Sequence, residues 1–161
     1  MKISHRAALL ALITGACAAL PASAQPDSTT NPPPVYVPVI PADDSLYQAF
    51  GGQAGLVRLM DEFMTRLLGD PRLRPFFKDV DQAHLKAHLV AQFCEVSGGP
   101  CKRKGKDMRT VHRGNDITKA DFNALVEVLQ QAMDAQGIDF RAQNRMLAQL
   151  APMHRDIVNS D

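Results

Sequence analysis

The sequence predicts an all-α domain over residues 45–161, and three observations carry that prediction. From Ser45 onward apolar residues recur at three- and four-residue spacing, and no run alternates strictly as a half-buried strand would. Glycine and proline interrupt the pattern at Gly51-Gly52, Gly69-Asp-Pro71, Gly114 and Gly137, which separates the apolar stripes into distinct helices. Thr118 and Asp121 have the spacing of a capping box, a reciprocal side-chain and backbone pairing that starts a helix, just ahead of the stripe beginning at Phe122.

Residues 1–24 read as a secretory signal peptide. Lys2 and Arg6 form a basic start, Ala7 to Leu20 a short apolar run, and Ala22-Ser-Ala24 a cleavage site before Gln25. A membrane-spanning helix wants roughly 20 apolar residues. This run is shorter, so the mature chain is expected to be exported, periplasmic and soluble, with no stable membrane insertion. A lipoprotein signal around Cys17 is disfavoured by Thr14, where an aliphatic residue is wanted. Cleavage removes Lys2 and Arg6 and no acid, so Lys+Arg falls from 18 to 16 against 17 Asp+Glu. That balance argues against a nucleic-acid partner. Residues 25–44 hold six of the eleven prolines and little that builds a core, and read as an extended tether with no role beyond spacing.

The folded part opens with a short helix from Ser45 that Gly51-Gly52 breaks. Leu56, Met60, Phe63 and Leu67 mark one face of the second helix, which ends near Gly69-Asp-Pro71. Pro71 and Pro75 frame an irregular corner carrying Phe76 and Phe77, one packing under the helices and the other lining a neighbouring cavity. Between Asp81 and Val96, Leu85, His88, Leu89, Gln92, Phe93 and Val96 form an apolar stripe with a histidine inside it. His84 stands one turn earlier on the stripe's edge. A His-x-x-x-His zinc pair with His112 as third ligand must therefore be weighed, although no acid is set as in a zinc hydrolase. Cys94 and Cys101, the two cysteines of the mature chain, flank a Gly-Gly-Pro turn and in an exported protein are expected to pair.

The segment Lys102-Arg-Lys-Gly-Lys106 is a basic loop that either is solvated or receives carboxylates. Beyond it, Met108, Val111 and His112 fall at i, i+3 and i+4, which puts an imidazole on an apolar stripe, the setting of a metal ligand or of a buried, hydrogen-bonded histidine. Gly114 suits the left-handed backbone that ends a helix. Phe122, Leu125, Val126, Leu129 and Met133 give the next stripe. A last helix from Asp139 carries Leu147, Leu150, Ala151, His154 and Val158, kinked at Pro152, with His154 expected at the surface.

In order and spacing, Leu46-Tyr-Gln-Ala-Phe-Gly-Gly52, Leu67-Leu-Gly-Asp-Pro-Arg-Leu73 with Phe76-Phe77, Gly98-Gly-Pro100, Gly105-Lys-Asp-Met108, Val111-His-Arg-Gly114 and Ile117-Thr118 resemble the group I truncated haemoglobins. The resemblance covers residues 45 to 158. It implies a truncated globin-like two-over-two helical sandwich around a haem b, with His112 matching the proximal iron ligand and Phe77 the phenylalanine packed on the haem face. On the distal side many members place a tyrosine and a glutamine that hydrogen-bond oxygen, where this chain has Met64 and Leu89. Where some cyanobacterial members carry a histidine on the sixth iron site, it has His88. The basic loop replaces an aromatic residue common in the family, which sets Arg103 to face a haem propionate. The haem-contacting set so implied is Phe63, Met64, Phe77, Leu85, Lys86, His88, Leu89, Phe93, Arg103, Met108, Val111, His112, Phe122 and Val126, with His112 and His88 as iron ligands.

The function this implies is reversible binding of a diatomic gas (oxygen, NO or CO) by an exported haem globin. The alternative is a haem enzyme or redox protein, such as an NO dioxygenase, a peroxidase-like enzyme or an electron carrier, with a bis-histidyl resting state and an unidentified reductase as partner.

Overall fold

A computed structural model describes residues 34–161, so the expected signal peptide and the tether as far as Pro33 lie outside the described residues. The elements in chain order are α1 (Ser45–Ala49), α2 (Gly52–Gly69), α3 (Arg74–Phe77), α4 (Gln82–Val96), α5 (Met108–His112), α6 (Lys119–Ala135), α7 (Phe140–Leu150), a 3-10 turn (Ala151–Met153) and α8 (His154–Ile157). No strand occurs among the described residues. None of these helices is long and apolar enough to cross a membrane.

Helix α2 is central and packs on both α4 and α6, while α7 closes against α6, α4 and α1. The result is two helix pairs, α2 with α4 and α6 with α7, one over the other. The apolar stripe of α2 explains that position: Leu56, Leu59, Met60, Phe63 and Leu67 are all buried. Phe93 of α4, Val128, Leu129 and Met133 of α6 and Met146 of α7 meet them in one core. Truncating one such leucine to alanine costs about 2–5 kcal/mol, because the cavity left behind only partly collapses.

Short acidic and hydroxyl side chains fix the helix starts by accepting hydrogen bonds from otherwise unpaired backbone N–H groups. Asp81 accepts from His84 N–H, Asp107 from Thr110 N–H, and Asp139 from the N–H groups of Arg141 and Ala142. Thr118 and Asp121 form the full capping box that their spacing predicts. Gly114 has φ +78°, the left-handed conformation expected there.

Three expectations need correction. The Pro71–Pro75 corner is not wholly irregular, since Pro75 sits in the first turn of α3, where its missing N–H costs nothing. The last helix is not one kinked helix: Pro152 cannot donate to the preceding turn, so α7 ends at Leu150 and α8 restarts at His154. Residues 34–44 are not a free spacer either. Tyr36 N–H donates to Asp156 Oδ2 at 2.7 Å, and the Arg155 guanidinium lies over the Tyr36 ring at 5.4 Å. Farther along, Asp43 passes so close to Gly98 that a Cβ there would meet the Asp43 carbonyl oxygen at 2.2 Å.

Candidate functional site: an apolar cavity between two histidine-bearing helices

A cavity of about 550 Å³ opens between α4 on one side and α5, α6 and the α7–α8 turn on the other. Its walls explain why so much of the α4 stripe is only half-buried. Leu85, His88, Leu89 and Gln92 face this space, Phe93 is buried at its floor, and Val96 goes into the core. Val111, 52% exposed, and Val80, 44% exposed, leave apolar surface bare on the same cavity, as a site built to be covered by an apolar ligand would.

His112 is set by a five-residue helix. Its Nδ1 lies 2.8 Å from the Met108 carbonyl oxygen one turn back. A carbonyl only accepts, so Nδ1 carries the proton and Nε2 keeps its lone pair as the ring's remaining ligand atom on the cavity wall. The helix start is fixed by Asp107, whose carboxyl is held below the usual aspartate value by the Thr110 backbone N–H and then by the Thr110 hydroxyl. After His112, Asn159 Nδ2 donates to the His112 carbonyl oxygen at 2.6 Å. The capping carboxyl of Asp121 is likewise lowered, first by the Thr118 hydroxyl and then by its backbone N–H.

Across the cavity, His88 Nε2 lies 3.0 Å from His84 Nε2, with the rings edge-to-face. Among the described residues no three His, Cys, Asp or Glu side chains converge as a metal site, so His112 does not join this pair in a zinc centre. At the edge stand Arg103, Lys104 and Lys106. Arg103 is shaped by its own loop: it donates from NH1 to the Lys106 carbonyl at 2.7 Å, and its backbone N–H donates to Glu95 Oε2 at 3.1 Å. The loop is tied to the end of α4 by the disulfide Cys94–Cys101, the pairing expected from sequence.

Of the haem-contacting residues expected from sequence, Phe63, Phe77, Leu85, His88, Leu89, Phe93, Arg103, Met108, Val111, His112, Phe122 and Val126 line this cavity. Met64 and Lys86 do not. Met64 is one residue past Phe63, a rotation of about 100° around the helix, and is buried in the core instead. Lys86, two residues before His88, is turned to the other side of α4 and pairs with Asp61 of α2 at 2.6 Å. His154 is half-buried rather than at the surface, its ring edge-on to Phe122 with centroids 4.9 Å apart. Sequence reasoning left out Gln92, Leu147, Leu150, Met153 and Ile157, all on the cavity wall. Gln92 stood on the predicted stripe, and its amide donates to the Met153 sulfur at 3.2 Å.

A family model described as bacterial-like globin matches residues 45–159. The group 1 truncated hemoglobin of Mycolicibacterium paratuberculosis is 30% identical over 117 residues, covering 73% of this chain and 86% of the relative. That of Synechocystis sp. is 33% identical, covering 71% of this chain and 98% of the relative. Among solved structures, the ferric truncated hemoglobin of Tetrahymena pyriformis superposes with a TM-score of 0.69 at 24% identity, over 71% of this chain and 98% of that one. These matches span both helix pairs and both cavity walls, and the chain belongs to the bacterial-like globin family, among the group 1 truncated hemoglobins, whose cofactor is an iron-bearing haem.

Proposed function

We propose that this chain is an exported globin that holds haem b through His112 and reversibly binds a diatomic gas on the opposite, α4 side. The observation that carries the reading is the bond from His112 Nδ1–H to the Met108 carbonyl, which leaves Nε2 unprotonated on an apolar wall. The residues fit a haem: a cofactor-sized apolar cavity, one imidazole with a free lone pair, and Arg103, Lys104 and Lys106 at its edge to meet two propionates. The iron, when bound, supplies the open coordination site for the gas. The protein does the rest. His112 would hold the iron, Phe77, Phe122 and Val126 would exclude water, and the basic loop would receive the propionate carboxylates. Leu85 and Leu89 offer no hydrogen-bond donor on the gas side, so any donor that α4 presents to bound oxygen comes from His84, His88 or Gln92.

A second reading is a redox or enzymatic haem protein, served by a reductase, in which both axial sites are filled at rest. His88 on the facing wall favours it. Stepwise haem addition to apoprotein tests the main reading. One equivalent should give a Soret band that shifts on reduction and again on adding CO; no saturable endpoint would contradict it. Turnover of NO or peroxide with a supplied reductant would favour the enzyme. Support for export comes from the signal-peptide pattern of residues 1–24 and from a disulfide, which persists in oxidising compartments. Mature protein from a periplasmic fraction should begin at Gln25.

A further inference from the structure

Helix α5 carries His112, yet none of its five residues is buried and only Met108 packs on the core, which is too little to hold it in place. The C-terminal segment does. Asp156 Oδ1 accepts from Arg109 NH2 at 2.6 Å, Asn159 Nδ2 donates to the His112 carbonyl, and Asn159 Oδ1 accepts from Ile117 N–H at 2.8 Å. The N–H groups of Asn159 and Ser160 both donate to the Ile117 carbonyl. The turn that follows the histidine is thus stitched to the chain end on both sides.

Asp156 joins this clamp to a third element. Its side chain is wholly buried, with one oxygen on Arg109 and the other accepting the Tyr36 backbone N–H at 2.7 Å. A buried carboxylate keeps its position only while its lone pairs are satisfied. If the Tyr36 donor is removed, Oδ2 must find water. The carboxylate then turns outward and slackens its hold on Arg109 and on α5. The Arg155 guanidinium over the Tyr36 ring and the seat of Asp43 against Gly98 keep residues 36–43 in register for that contact.

We propose that Asp156 is a positioning residue for His112 and that the segment around Tyr36 completes it, so the stretch ahead of the globin helices governs how firmly haem is held. This rests on His112 being the axial ligand.

The test uses the mature chain with three substitutions. Tyr36→Pro removes both the backbone donor and the ring, Tyr36→Phe keeps both, and Asp156→Asn removes the charge that Arg109 meets. Two readouts are compared: amide hydrogen exchange of residues 108–118 in haem-free protein, and the rate of haem loss to excess apomyoglobin. In Tyr36→Pro and Asp156→Asn both should rise roughly tenfold, while α6 amides exchange as in the parent and Tyr36→Phe matches the parent. Unchanged exchange and haem loss in Tyr36→Pro would overturn the proposal, and so would an equal rise in α6, which would mark a general loss of stability. Should Asp156→Asn fail to fold, Tyr36→Pro carries the test alone. Failure of the underlying reading shows in a different sample: a parent chain whose ferrous spectrum is unmoved by His112→Gly, a result that removes the clamp proposal with it.

Discussion

The Nε2 atoms of His84 and His88 lie 3.0 Å apart, one turn of α4 separating the two residues, and both rings stand on the cavity wall facing His112. A hydrogen bond at that distance occupies the His88 atom that would have to ligate iron. His84 and iron therefore compete for the same His88 atom, and His88 reaches the sixth site only when it leaves His84. A neutral hydrogen bond is worth about 0.5–1.5 kcal/mol net, a shift of roughly twofold to tenfold in such an equilibrium. His84→Ala should accordingly raise the low-spin fraction of ferric protein and slow CO binding to the ferrous form, because the gas sees only the open fraction. His88→Ala should be high-spin and faster than the parent. A parent that is already fully high-spin, unchanged by His84→Ala, would show that His88 only lines the pocket.

The disulfide Cys94–Cys101 closes a short loop between the end of α4 and the basic segment at the cavity edge. Restricting the unfolded chain in this way contributes about 2–3 kcal/mol in the entropic account. Cys101→Ser should lower the thermal midpoint of the haem-free protein, and reductant should lower the parent to the same value. Thiol counting on denatured, unreduced periplasmic protein should find none. Two free thiols there would refute the pairing.

Acid should loosen the His112 helix through its cap. The folded-state pKa of Asp107 lies below the ordinary aspartate value, so the stabilisation it gives is present above that value, near pH 4, and is lost as pH falls through the folded pKa. Asp121 adds the same sign at the start of α6. Haem should thus be lost faster from Asp107→Asn than from the parent at neutral pH, and the two rates should converge as pH falls through the folded pKa of Asp107. Coincident acid profiles would show that the cap does not control the proximal side.

The all-α class, the buried stripe of α2, the capping box and the disulfide were legible because each is a local signal in which spacing alone fixes which groups meet. The cavity walls from α4, α5 and α6 were legible through stripes that carry histidine among apolar residues. What escaped is long-range. Nothing near Tyr36 in sequence announces Asp156, 120 residues away, so the docked segment reads as a spacer until both ends are seen together. Met64 was assigned by matching a position in the family, but its burial in the core is decided by how α2 rotates against α4 and α6. The His84–His88 bond was hidden for a different reason: i, i+4 spacing brings the rings together whether they bind metal, bind each other or face water.

The most direct measurement is the ferrous absorption spectrum of haem-reconstituted His112→Gly, recorded without and then with added imidazole. His112 lines the cavity with one ring nitrogen bonded to Met108, so removing the side chain leaves the pocket but takes away the nitrogen that the proposed function gives to iron. The variant should lose haem or hold it with an altered spectrum, and imidazole entering the vacated space should restore the parent's. An unchanged ferrous spectrum in His112→Gly, insensitive to imidazole, would contradict the assignment of His112 and with it the account of this site.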